Sequence, residues 1–165
     1  MDSAAATIFA GPNPKLIFML IDPVADEQSR QAQIEAYNRL RSLIFDVRAN
    51  DYVTMRIIGI HFIVTKADML GDNREAKAKE AVDTIFNKAS REAFVKKCRE
   101  YNINGPTGVP QTFCFSLGRF NVGNIFTYNP TDSSALLSTI SDYCLASKPG
   151  CFLSRLFNPF KKRRS

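Results

Sequence analysis

Histidine occurs once in the 165 residues, and the four cysteines nowhere form a Cys-x-x-Cys pair. A zinc site needs clustered nitrogen and sulfur ligands, so this composition argues against one. Cys98, Cys114, Cys144 and Cys151 read instead as reduced thiols, which fits a cytoplasmic setting. No run approaches the roughly 20 apolar residues that span a bilayer. The first eleven residues hold an acidic Asp2 and no basic cluster, unlike a secretory signal. Internal repeats and low-complexity tracts are missing as well.

What is present suffices for one domain with a substantial core: hydrophobic residues make up 45% of the chain. The net charge of +6 is unevenly placed. Lys148, Arg155, Lys161, Lys162, Arg163 and Arg164 all fall in residues 148–165, which contain no acid. Taking those six from the 22 basic residues leaves 16 against 16 acidic ones. The body is neutral, so a basic groove for nucleic acid is not expected.

Apolar periodicity orders the rest. Residues 15–22 and 55–64 are short, continuous apolar runs that predict buried parallel strands, the first stopped by Pro23. Between them, Ile34, Tyr37, Leu40, Leu43, Ile44 and Val47 recur at helical spacing over 26–49, with Asp26 as N-cap. A helix or a broken pair covers 73–101, and a loop follows at 104–108. Residues 111–117 predict a third strand. Residues 120–128 read as a loop with a short extended piece. A final helix begins near Asp132, with Leu136, Leu137, Ile140, Tyr143 and Cys144 as its inner face. The order β-α-β-α-β-α describes an open, mainly parallel α/β sheet.

The sharpest junction is the apolar run ending at Val64, followed at once by Thr65-Lys66-Ala67-Asp68. In an open α/β sheet, ligands bind at the carboxyl ends of strands. This tetrad resembles the Asn/Thr-Lys-x-Asp base-recognition motif of P-loop GTPases. Asp68 would accept hydrogen bonds from guanine N1–H and the exocyclic amine. Adenine has no such pair of donors and would leave the carboxylate desolvated and unpaired. The Lys66 stem would lie along the base. Ser116-Leu117-Gly118, one helix and one strand later, is similar to the family's serine-led motif, with Ser116 and the Leu117 N–H directed at guanine O6.

The resemblance covers residues 15–146, the second half of a GTPase domain. It implies a three-layer α/β/α fold, P-loop NTPase-like but incomplete, over 1–146; the residues beyond, 147–165, read by their own composition as a basic amphipathic tail. GTP or GDP is the implied ligand. The chain has no GxxxxGK(S/T) and no recognisable switch threonine. The phosphate cradle and the Mg²⁺ hydroxyl are therefore lacking, so Mg²⁺ binding and hydrolysis would need a completing chain. Thr65 stands where the family braces its phosphate loop, which this chain lacks. The chain then reads as a pseudo-GTPase, as part of a split GTPase, or as an interaction domain that binds no nucleotide. A small α/β enzyme using the same edge is a further reading.

A three-stranded sheet also leaves an open edge, which implies a completing or homo-oligomeric partner. In the tail, Phe152, Leu153, Leu156, Phe157 and Phe160 form an apolar face beside the basic cluster. Such a segment suits an anionic membrane surface; the plainer reading is that it packs against the domain and ends in a solvated charge run. His61 reads as a hydrogen-bonded core or interface residue, Asp22 as a turn residue or a ligand contact, and Cys114 as core. Arg119 suits a phosphate or solvent, and Cys151 reads as an ordinary thiol.

Overall fold

The computed structural model describes residues 11, 13–46, 56–116, 119–121, 125–127 and 130–146. Strands β1 (Lys15–Ile21), β2 (Ile57–Val64) and β3 (Thr112–Cys114) form an all-parallel sheet in the order β1-β2-β3. Phe18 lies opposite His61, and Ile63 opposite Phe113. β4 (Arg119–Asn121) and β5 (Ile125–Thr127) pair as a separate antiparallel hairpin, where the sequence suggested only one extended piece. The helices are α1 (Glu27–Asp46), α2 (Arg74–Phe86), α3 (Lys88–Glu100) and α4 (Pro130–Ala146).

Local chemistry sets the boundaries. The Asp26 carboxylate accepts the Ser29 N–H at 2.8 Å and caps α1 as expected, and this bond lowers the Asp26 pKa. The 73–101 stretch is a broken pair. Asn87 takes φ of 59°, which ends α2, and its side chain accepts the Ala89 N–H at 3.0 Å to start α3. One asparagine thus stops one helix and caps the next.

Residues alternate across a strand, so β2 feeds two packing layers. Ile60, Phe62 and Val64 belong to a core with Tyr37 of α1, Phe86 of α2 and Phe94 of α3. The Tyr37 and Phe86 rings stack at 3.9 Å, and Phe62 meets Phe86 at 5.4 Å. Gly59 and His61 face the other way, against Tyr143 of α4. Both crossovers step in one direction across the sheet, so crossovers of one hand put α1, α2 and α3 on a single face. Of the described helices, α4 packs on the other face, through Tyr143 against Gly59. Leu20 of β1 is 64% exposed.

The inner face of α4 differs from the apolar set expected. Asp132, Thr139 and Tyr143 are buried, whereas Leu137 and Cys144 are exposed. Polar partners on the sheet side explain the rotation. Tyr143 Oη lies 3.0 Å from His61 Nε2 and 3.0 Å from Thr107 Oγ1, and it donates to Asn104 Oδ1 at 3.1 Å. Asn104 Oδ1 also accepts the Ile60 N–H at 2.8 Å. His61 Nδ1 accepts the Gln111 N–H at 3.1 Å, which assigns the other ring nitrogen as the proton-bearing one. The ring sits among Phe18, Phe113 and Tyr143.

Two predictions follow from this layer. A Cβ at residue 59 would lie 2.5 Å from the Tyr143 ring and 2.7 Å from Leu16. We expect Gly59→Ala to destabilise the fold by about 2 kcal/mol through overpacking, measured by urea unfolding. Burial holds the His61 pKa at about 4, against an ordinary 6.5. The unfolded chain takes up this proton near pH 6.5 and the folded chain only near 4. Stability from this group is therefore complete above pH 6.5 and falls as the pH drops toward 4. The loss should reach roughly 3 kcal/mol. His61→Gln, compared with its own stability at pH 7, should lose that much less on acidification.

Candidate functional site

The carboxyl ends of the three strands bring the tetrad and the serine to one edge. Thr65 leaves β2 bound twice to one acceptor. Its N–H and its Oγ1 both donate to the Ile21 carbonyl, at 2.8 and 3.0 Å. On the other side the Ala67 N–H donates to the Phe115 carbonyl at 3.3 Å, and the Phe115 N–H to the Val64 carbonyl at 2.9 Å. The loop is thereby fastened to the ends of both outer strands.

Between these anchors the chain turns sharply. Lys66 adopts the left-handed conformation (φ 52°, ψ 33°), which costs a non-glycine residue about 1–2 kcal/mol. It opens a single 3₁₀ turn, Ala67–Leu70, closed by the Met69 N–H on the Lys66 carbonyl at 2.9 Å. Ala67 is buried, and Asp68 is half-buried at the edge. Among the described residues, Asp68 has no hydrogen-bond or ion-pair partner. A carboxylate so placed keeps both oxygens for an incoming donor pair.

Lys66 is engaged. Its Nζ lies 2.6 Å from Asp22 Oδ2, with the side chains 52% and 29% exposed. An ion pair this open to water contributes at most about 1 kcal/mol, so opening it costs little. Asp22 also fills the expected turn role. Its Oδ1 accepts the Val24 N–H at 3.1 Å, and its own N–H donates to Gln33 Oε1 at 2.9 Å.

Ser116 is buried at the end of β3, and its Oγ donates to Asp132 Oδ2 at 3.5 Å. Asp132 is itself buried and holds Arg74 by both oxygens, at 2.6 and 3.2 Å. This pair joins the first turns of α2 and α4 directly behind the serine. The carboxylate suits the positive end of α4, whereas a guanidinium at the start of α2 needs that counter-charge. Sequence reading took Asp132 only as the start of a helix. Its partner lies 58 residues away and carries no local signal. Leu117 and Gly118, and with them the N–H that the resemblance assigns to guanine O6, lie outside the described residues, as do the Arg119 side chain and Cys151.

The thiols read as structural. Burial raises the pKa of Cys114, whose Sγ contacts the Arg74 carbonyl at 3.7 Å, and pushes Cys98 up to about 12. Among the described residues, no cluster of His, Cys, Asp or Glu is placed to hold a metal ion, and no helix is long and apolar enough to cross a membrane.

Asp132 is buried but Arg74 is 32% exposed, so removing the carboxylate leaves a guanidinium that water partly reaches. Asp132→Ala should cost about 2 kcal/mol in chemical unfolding, whereas Asp22→Ala, at the more exposed pair, should cost under about 1 kcal/mol.

Comparison with protein-family models, curated proteins and solved structures finds no match to this chain.

Proposed function

We propose that this chain is a guanine-nucleotide-recognising, GTPase-like half-domain of P-loop NTPase-like, three-layer architecture. It lacks the phosphate-binding loop and acts either as a pseudo-GTPase or as part of a split GTPase completed by another chain. The observation that carries this reading is the Asp68 carboxylate, without a partner among the described residues, at the carboxyl edge of the central strand. Two backbone anchors hold its loop there. The donor pair of guanine, N1–H and N2–H, matches what two free carboxylate oxygens accept. Opening the Lys66–Asp22 pair would free the lysine stem to lie along the base. Ser116, held from behind by Asp132, would present the following backbone N–H to O6.

Phosphate contacts supply much of nucleotide affinity and the electrostatics of hydrolysis. Binding by the base alone is therefore weak, and turnover by this chain alone is not expected. A completing partner, another chain or a second copy, would pair with the outer edge of β1. Among the described residues no strand occupies that edge. A second reading, an interaction domain without nucleotide, draws on the exposed Leu20, Val24 and Met69 around the same end of the sheet.

Calorimetric titration with GDP, GTP and ATP tests the choice. We expect GDP and GTP to bind and ATP not to. Asp68→Ala should weaken guanine-nucleotide binding at least about tenfold, the equivalent of 1.4 kcal/mol. Absence of binding by any nucleotide at millimolar concentration would leave the interaction domain as the reading.

A further inference from the structure

The backbone of β1 is hydrogen-bonded on one side. Along a strand, successive residues direct their N–H and C=O groups alternately to the two neighbouring positions. The Lys15 N–H donates to the Arg56 carbonyl at 2.8 Å, and the Ile21 carbonyl accepts the Thr65 N–H at 2.8 Å. Lys15, Ile17, Met19 and Ile21 therefore face β2, whereas Leu16, Phe18 and Leu20 turn their backbone groups away from it. The next outward donor, the Asp22 N–H, is taken by Gln33 of α1 at 2.9 Å. Among the described residues, the outward N–H and C=O groups of Leu16, Phe18 and Leu20 meet no partner. They form an open row on which another strand can pair.

An edge of this kind is ordinarily blunted by a charge or a proline within the strand. Residues 16–21, Leu-Ile-Phe-Met-Leu-Ile, contain neither. The row is also its own complement. Phe18 is the central residue of Lys15–Ile21, so a twofold axis beside it sets Phe18 against Phe18 of a second copy, and Leu16 against the second copy's Leu20. Antiparallel partners so placed exchange two hydrogen bonds per pair, about six for the three pairs. Every outward N–H and C=O of the row is then satisfied, and the exposed Leu20 gains a leucine across the strands. The strand ends agree. Lys15 and Asp22 carry opposite charges at opposite ends, so antiparallel pairing brings unlike charges near each other, whereas parallel pairing aligns lysine with lysine.

The geometry points to a second copy of this chain as the occupant of the edge, paired antiparallel through β1 about Phe18. The two sheets become one, in the order β3-β2-β1-β1-β2-β3. Both of its outer edges are β3, only three residues long, so the assembly closes at two copies. This narrows the completing partner of the proposed half-domain to a second copy. It takes from that reading the open edge and not Asp68, so absence of nucleotide binding would leave it standing.

Two measurements on the full-length chain test it. In sedimentation equilibrium the chain should be a dimer, and Leu20→Lys should weaken association at least about tenfold by placing a charge against the second copy's Leu16. Residue 20 is exposed in the single copy, so this variant keeps its fold. Leu137→Lys, at an exposed position on α4, should leave the dimer intact. In a Cys144→Ser, Cys151→Ser background, an equimolar mixture of Leu16→Cys and Leu20→Cys chains should cross-link through a short bis-maleimide. Either variant alone should not, because like positions lie roughly 13 Å apart along the paired strands. A chain that stays monomeric at millimolar concentration would overturn the proposal. So would a dimer that Leu20→Lys leaves unchanged or that Leu137→Lys dissociates, since another surface would then hold it. Cross-linking of each single variant with itself as readily as in the mixture would also overturn it, because parallel strands align like positions.

Discussion

Tyr143 reaches the sheet only because residue 59 has no side chain, and much of the molecule is arranged around that approach. The tyrosine hydroxyl meets His61, Asn104 and Thr107, so one side chain ties α4 to the central strand and to the loop before β3. With α4 seated there, Asp132 arrives behind Ser116 and meets Arg74 from the start of α2. A close approach at one end of α4 and an ion pair on the buried Asp132 at the other fix the helix across the sheet. Both contacts are polar at their centre, which favours one placement of the helix over sliding alternatives.

The carboxyl edge obeys a different logic. Thr65 and Ala67 spend their backbone donors on the neighbouring strand ends, and Lys66 accepts a left-handed backbone to make the turn. Strain of that kind persists only where the surroundings enforce it. Here the group positioned is a carboxylate with no partner in the described fold, beside a lysine held by a pair that water weakens. The serine side of the edge is the rigid half and the lysine side is the adjustable half.

Much of this architecture was legible in the sequence. The continuous apolar runs marked the strands and their parallel pairing, the three- and four-residue spacings marked the helices, and the tetrad's place after β2 was plain. What escaped was long-range and polar. Apolar counting turned α4 toward Leu137 and Cys144, because nothing local reveals that Asp132 finds Arg74 or that Tyr143 finds His61. The Lys66–Asp22 pair was hidden for the same reason, since its members lie 44 residues apart. The β4–β5 hairpin was half seen, its short strands lacking the alternation that longer ones show.

The sheet order has a consequence for how the chain comes together. Strands adjacent in sequence are adjacent in space, so β1 with α1 and β2, and then β2 with α2, α3 and β3, can each assemble as a local unit. Loop closure over such short distances is fast and suits a chain emerging from its N-terminus during synthesis. The His61–Tyr143 contact spans 82 residues and must wait for α4. Until then His61 and Gly59 face water, and the nascent sheet exposes the face on which it is least protected. Among the described elements α4 is thus the last to engage and the one whose delay leaves the chain most open to unwanted association.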